Sequence, residues 1–322
     1  MTMKNLPKIS LVVPLYNKVN EVERAIDSIF AQTIQDFELI IVDGGSTDGS
    51  LDVIKKYEND PRYHLIHQVS KGLPAGRNEG IAVASTNFIA FLDADDEWCP
   101  TFLEKIFHLR DNYPNAGLYA TAYATSFGDY IHEPHLSGIP SAPWEGLLES
   151  YFRSSALAFI YPFAPCCVAI PKSTFEKIGL FNPKLRTGED AEMWGRIALK
   201  FPIAFTSSIG AIYSAVATNK MTDNPNVLIQ HPFAEYLATY PQDELKNHPD
   251  IENILLYIEK EDLAIALNNL YAHDSIQARV NLKRVNNSIF WKQKIGLTII
   301  SYIPKKLLIY ILPFATKCGA RI

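Results

Sequence analysis

At 322 residues, 48% hydrophobic and 20% charged, the chain has the composition of a globular protein rather than a disordered one. It is long enough for one large α/β domain plus an extension. Its formal net charge of −5 gives no basis for nucleic-acid binding, and its four cysteines show no metal-type spacing, which fits a reducing cytoplasm. No apolar leader occupies Met1 to Lys8, so a cytoplasmic location is the expectation. In chain order, Ile9 to Pro14 is a β-branched run that reads as a buried strand, followed by the loop Leu15-Tyr16-Asn17-Lys18. Glu21 to Gln32 carries Val22, Ala25, Ile26, Ile29 and Phe30 at helical spacing. Phe37 to Val42 is a second strand that stops at Asp43, and a turn-rich segment leads to a helix over Leu51 to Tyr57. His64 to Gln68 is a weaker third strand, and Arg77 to Ala84 a helix. The run Phe88 to Leu92 then drives straight into Asp93, Asp95 and Asp96.

Unpaired charge is too costly inside a buried strand, so these carboxylates mark its carboxyl end, where open α/β sheets place ligands. Residues i and i+2 of an extended chain point to one side, so Asp93 and Asp95 are expected to present hard oxygens to one ion or polar ligand. Mn2+ or Mg2+ holding a diphosphate suits that pair; the alternative is an acidic loop that only caps the next helix. Strand and helix alternate, with polar groups gathered at strand ends, which predicts a mostly parallel, doubly wound sheet. A nicotinamide site is excluded because no Gly-X-Gly-X-X-Gly follows the first strand.

Further on, Phe102 to Asn112 reads as an amphipathic helix, Ala116 to Phe127 and Cys167 to Ile170 as strands, Leu147 to Ser155 as helix, and Thr174 to Gly179 as a short helix. Gly128 to Pro143 has no period and reads as a loop near an acceptor. From Asn226 the pattern is helical, over Val227 to Thr239, Ile251 to His273 and Ser275 to Asn286. From Ser275 onward there are nine Lys or Arg and no Asp or Glu, leaving −14 on the preceding body. Residues 289–314 are apolar but interrupted by Pro304-Lys305-Lys306, so they read as interfacial rather than spanning, with Trp291 and Tyr302 as anchors. A basic helix hairpin docked on the catalytic domain or on a partner chain is the alternative. Self-association into a homo-oligomer is left open.

The ordered motifs VPLYN, IIVDGGSTDGS, GRNEGI and FLDADDEWCP resemble the nucleotide-binding half of family 2 glycosyltransferases. The segment GLFN followed by TGEDAEMWGR resembles that family's second half. The resemblance implies an α/β fold of GT-A type: a Rossmann-like, mostly parallel sheet flanked by helices, here with a C-terminal α-helical extension. The catalytic domain would take residues 1–222 and the extension residues 223–322. It also implies an inverting, metal-dependent transfer, by a hexosyl or N-acetylhexosaminyl transferase, from a nucleotide sugar, UDP-linked by preference. The acceptor would be a hydroxyl of a glycan or lipid-linked acceptor in polysaccharide synthesis. Pro14, Tyr16 and Asp43 would line the base and ribose pocket, Arg77 would approach the nucleotide or sugar, Asp93 would contact hydroxyls and Asp95 would ligate Mn2+ or Mg2+. Asp190 would be the catalytic base, with Glu189 beside it and Trp194 shaping an acceptor pocket. The base is chemically required, because an alcohol attacks well only as its proton leaves, and a helix N-terminus is expected to keep such a carboxylate ionised.

Other readings stay open at this point. Arg77 can instead pair with Glu79, and Tyr16 can cover the core. Gly44 stands where relatives commonly carry a second Asp. Many relatives place a His after the following strand, but none occurs in Phe205 to Val216. Either Asn219 or water fills that position or the segment is shifted, so the third metal ligand is unassigned, with His231 a loop residue. A sugar nucleotidyltransferase and a non-catalytic nucleotide-sugar-binding assembly protein are the alternatives, the former disfavoured because Leu15 to Lys18 is short and lacks glycine.

Overall fold

The computed structural model describes residues 7–158, 160–218, 227–304 and 306–308. The chain divides into two compact units, residues 1–149 with 162–220, and residues 150–161 with 221–322.

In the first unit the order is β1 (Ile9–Leu15), α1 (Val22–Phe30), β2 (Phe37–Asp43), α2 (Ser50–Ile54), β3 (Tyr63–His67), α3 (Leu73–Val83), β4 (Phe88–Phe91), β5 (Glu97–Trp98), α4 (Phe102–Asn112) and β6 (Leu118–Ser126). There follow β7 (Ile131–His132) and β8 (Glu145–Leu147); α5 (Tyr151–Ala158) belongs to the second unit. The first unit resumes with β9 (Val168–Pro171), α6 (Lys172–Ile178), α7 (Glu189–Ala198) and β10 (Ile203–Ser214). The sheet order is β3-β2-β1-β4-β9-β6-β10-β5, with β7 on β6 and β8 on β10. The pairs β1–β2, β2–β3, β1–β4 and β6–β10 are parallel, whereas β9 runs antiparallel to β4 and β6. The apolar runs explain the centre: every residue of β1, β2 and β4 is buried, while β3, at the edge, is largely exposed. The chain winds outward from β1 to β3 and returns to β4 on the other side of β1. The carboxyl ends of β1 and β4 therefore flank a topological switch point, where such sheets bind ligands.

Three local expectations are corrected. α3 starts at Leu73, not Arg77, because Gly72 turns the chain at φ 100° and Pro74 suits a first helical turn. Glu145 to Leu147 pairs with β10, and α5 starts only after Ser150, whose Oγ accepts from Arg153 N–H at 3.0 Å. Asp93 to Asp96 closes a turn, Asp96 N–H donating to Asp93 C=O at 3.0 Å, so the extended-chain argument for a shared face does not apply there.

The sheet and its helices meet through glycine at one decisive place. A Cβ on Gly80 would lie 2.3 Å from Val12 Cγ1, so α3 rests directly on β1. Arg77, one turn earlier on the same buried side, is thereby carried to the carboxyl ends of the strands.

The second unit gathers α5 with α8 (Pro232–Thr239), α9 (Gln242–Lys246), α10 (Ile251–Tyr271), α11 (Ser275–Arg284) and α12 (Trp291–Ile300). Phe152 of α5 packs against Phe233 and Tyr257 at centroid distances of 5.5 and 5.6 Å. α8 starts at Pro232 rather than Val227 because the residue before a proline is kept out of the helical region. His231 caps it, Nδ1 accepting from Phe233 N–H at 3.2 Å, and faces Glu261 at 3.6 Å. Glu261 is buried and also accepts from Lys260 and Tyr161, which satisfies its charge internally.

Candidate active site

At the end of β2, Asp43 is buried and its carboxylate accepts from its own loop, from Gly45 N–H at 3.2 Å and Ser46 N–H at 3.0 Å. The turn needs Gly45 at φ 88°. Gly44 is held just as closely, since a Cβ there would meet Gln68 Oε1 at 3.2 Å and Leu15 C=O at 3.4 Å. Pro14 lies buried within β1, opposite Val42, whereas Tyr16 is 54% exposed in the loop beyond and does not cover the core.

Arg77 is the centre of the acidic cluster. Its guanidinium, 1% exposed, donates through Nη2 to both Asp93 oxygens at 2.8 and 3.1 Å, and through Nη1 to Glu189 Oε1 at 3.0 Å. Phe181 lies under it at 5.5 Å. Glu79 is not its partner; that carboxylate accepts from Val69 and Ser70 N–H. Arg77 is thus a buried tie between the loop after β4 and the start of α7, with little surface left to offer a ligand. The two acids it joins lie 96 positions apart, Asp93 and Glu189.

Glu189 opens α7 after Gly188, at φ 75°, and Asp190 follows, partly buried, accepting from Ala191 N–H at 2.7 Å. Burial, then the Asp190 charge, push the Glu189 carboxyl up to about 7, while Arg77 pulls the other way. Asp190 is also shifted upward, by burial, against the opposing pull of Arg77. Burial thus opposes the helix terminus, which on its own favours the ionised carboxylate. Trp194 is 1% exposed and packs between Phe163 and Phe181 at 5.9 and 6.1 Å, so it belongs to the core behind the acids rather than to a pocket wall.

Of the three aspartates after β4, only two face the site. Asp96 is buried and accepts from Ser214 N–H at 2.9 Å, bracing β10; Trp98 is also buried, donating to Cys166 C=O at 2.6 Å. Asp95 has a partly exposed carboxylate, pushed upward by burial and by Asp93, and Lys18 Nζ sits 2.6 Å from its Oδ2. Lys18 was not singled out by the sequence; its signal was a cation immediately after Tyr16-Asn17 in the first strand-end loop. The Asp95 carboxylate suits a hard divalent ion completed by a ligand's phosphates and water, since it is partly accessible and offers only oxygen. Among the described residues no three His, Cys, Asp or Glu converge as a metal cage. Asn219, considered for the missing ligand, lies outside the described residues.

An α/β unit with nucleotide-type loops at a switch point and acids from both halves at one site defines a GT-A glycosyltransferase fold. The profile described as "Glycosyl transferase family 2" matches residues 10–179, and the chain belongs to that family. It is 26% identical over 317 residues to an uncharacterized glycosyltransferase of Rickettsia felis, covering 96% of this chain and 46% of the relative. It is 29% identical over 207 residues to WcaA of Escherichia coli, a putative colanic acid biosynthesis glycosyl transferase, covering 62% of this chain and 69% of that one. The chain spans less than half the length of several curated relatives, including 30% of Escherichia coli YibD. Among solved structures, S. aureus TarS 1–349 in complex with UDP-GlcNAc superposes with TM-score 0.60 at 19% identity, over 97% of this chain and 88% of that one. The Pyrobaculum calidifontis mannosyltransferase PcManGT, in complex with GDP-Man and Mn2+, gives 0.59 at 17%, over 98% and 88%.

Proposed function

We propose that the chain is an inverting glycosyltransferase that moves a hexosyl or N-acetylhexosaminyl group from a nucleotide-diphosphate donor, UDP-linked by preference, to a hydroxyl of a glycan or lipid-linked acceptor. The observation that carries this reading is the Arg77 bridge, which ties Asp93 on the donor side to Glu189, beside Asp190, on the acceptor side. The nucleotide sugars in TarS and PcManGT support the donor class, and the name of WcaA supports polysaccharide synthesis.

In this reading Pro14, Tyr16 and Asp43 receive the base and ribose, and Asp93, held by Arg77, receives hydroxyls. Asp95 would hold Mn2+ or Mg2+, which would supply Lewis-acid neutralisation of the diphosphate. Asp190 takes the acceptor O–H proton as that oxygen attacks the anomeric carbon, and the C–O pair leaves with the diphosphate. Glu189 keeps Asp190 in a shared, buried electrostatic environment. Within the stretch Gly128 to Pro143, the loop we assign to the acceptor, residues 133–136 and 139–142 line a cleft of about 190 Å³ with Ala122, Ser207 and Ile209.

The tail is read as a peripheral contact with an anionic membrane face. α12 exposes Trp291, Ile295 and Ile299 on one side, with Tyr302 beyond, while Leu297 turns inward. Arg279 lies 4.8 Å from the Tyr302 ring. Among the described residues no helix is long and apolar enough to cross a membrane.

The test is a screen of nucleotide sugars with Mn2+ or Mg2+, followed by Asp190→Asn. The variant should bind the chosen donor as the wild type does and lose transfer by about 10²–10⁴-fold. Unchanged transfer would remove Asp190 from its role.

A further inference from the structure

Resting on the donor-site reading above, we infer that Lys18 is a binding residue that alternates between Asp95 and the donor's diphosphate, giving up Asp95 when a divalent ion takes it. Lys18 Nζ donates to Asp95 Oδ2 at 2.6 Å and to Thr218 C=O at 2.5 Å, with the side chain 11% exposed. Its backbone is fixed from both sides. Asn17, at φ 51°, turns the chain; Lys18 N–H donates to Ser50 Oγ at 2.8 Å; and Lys18 C=O accepts from Glu21 and Val22 N–H at the start of α1.

Asp95 is fixed too, because Arg24 Nη2 donates to its backbone C=O at 2.6 Å. Thr218 is held by Glu21, whose Oε1 accepts from both its N–H and its Oγ1 at 2.9 Å. Acceptor and pivot are therefore rigid, and the four-carbon stem of Lys18 is the part able to move.

A compact ammonium at 2.6 Å already pairs with the carboxylate that would hold a metal ion, and two cations compete for that charge in a partly buried place. Asp93 does not relieve the competition, since the Arg77 guanidinium donates to both its oxygens and offsets their charge. Once displaced, the ammonium needs an anion, and the diphosphate whose charge the ion only partly neutralises is the anion the site is read to bind. Lys18 thus guards a partly buried carboxylate in the nucleotide-free protein and adds positive charge to the phosphates in the loaded one.

The experiment titrates Mn2+ alone into nucleotide-free full-length protein by electron paramagnetic resonance, and UDP into the protein at saturating Mn2+ by calorimetry. Lys18→Met should bind Mn2+ at least tenfold tighter than the wild type, because its competitor is gone, yet bind UDP at least tenfold more weakly. Lys18→Arg, which keeps the charge and covers failure of the Met variant to fold, should bind Mn2+ within about threefold of wild type. Mn2+ affinity that is unchanged or weaker in Lys18→Met, UDP affinity that is unchanged, or an Arg variant as tight for Mn2+ as the Met variant would each overturn the inference. A wild type that binds neither Mn2+ nor UDP would overturn the donor-site reading and this inference together. Normal wild-type binding with indistinguishable variants would overturn this inference alone.

Discussion

Glu189 and Asp190 are adjacent and burial raises both carboxyls, and that fixes a pH dependence. The Glu189 carboxyl is raised from 4.5 to about 7 by its buried position and then by Asp190. Rising pH removes its proton and ionises the pair that is read to accept the alcohol proton. Transfer measured as kcat/KM should therefore climb as pH increases through about 7. In Glu189→Gln the climb should move to lower pH, because the remaining Asp190 no longer shares its surroundings with a second acid; an unmoved profile would assign the titration elsewhere. The same shift has the opposite sign for stability. A folded-state carboxyl raised above its ordinary value stabilises the fold fully below pH 4.5, and that contribution is lost as pH rises through about 7. Which residues would matter was legible one at a time, from carboxylates at strand and helix ends. Their linkage was not. Glu79 lies two positions from Arg77 on a helix, where side chains do not face one another, so that pairing was excludable in advance. The true partner, Glu189, is 112 positions away, and no local pattern names it.

Among the elements, β1, β2 and β4 were readable because both faces of each strand are covered, which demands continuous β-branched and aromatic runs. The start of α3 is masked in the sequence, since Gly72, Pro74 and Gly76 have loop composition. Yet Pro74 fits the first turn, and Gly76 faces Gln68 Oε1 where a Cβ would lie at 2.9 Å. Glycine in this helix is a spacing device, most sharply at Gly80. Gly80→Ala should cost about 1–3 kcal/mol by forcing α3 off Val12, as overpacking of a tight contact does. Urea unfolding would measure it, and Val12→Ala in the same chain should recover part of the loss. Full stability of the single variant would mean that the close approach of helix to strand is not maintained in solution.

At the level of the whole molecule, the asymmetry between an acidic body and a basic terminus was plain from charge counting alone, whereas the outward face of α12 needed coordinates. Trp291→Glu with Ile295→Glu should abolish flotation with vesicles containing anionic phosphatidylglycerol and leave transfer to a soluble acceptor unchanged. Binding by the wild type should weaken as salt rises, since an exposed basic cluster is screened. Removal of the chain after Val285 should have the same effect on flotation, and a truncated chain that binds vesicles equally well would refute the contact. Retained flotation of the doubly substituted chain, or concentration-dependent dimerisation lost in it, would instead assign this stripe to a second copy.

The placement of α5 carries a consequence for how such chains change over evolutionary time. Its aromatic residues Tyr151 and Phe152 share a core with Phe233 and Tyr257, so residues 150–161 are part of the helical unit although they interrupt the sheet unit. A recombination event that replaced only the stretch after residue 220 would inherit an α5 shaped for a lost neighbour, stranding its rings in water. Exchange of the helical unit between relatives therefore requires two crossovers, or a matched change at Tyr151 and Phe152, and hybrid chains made with a single junction should aggregate where those made with both do not.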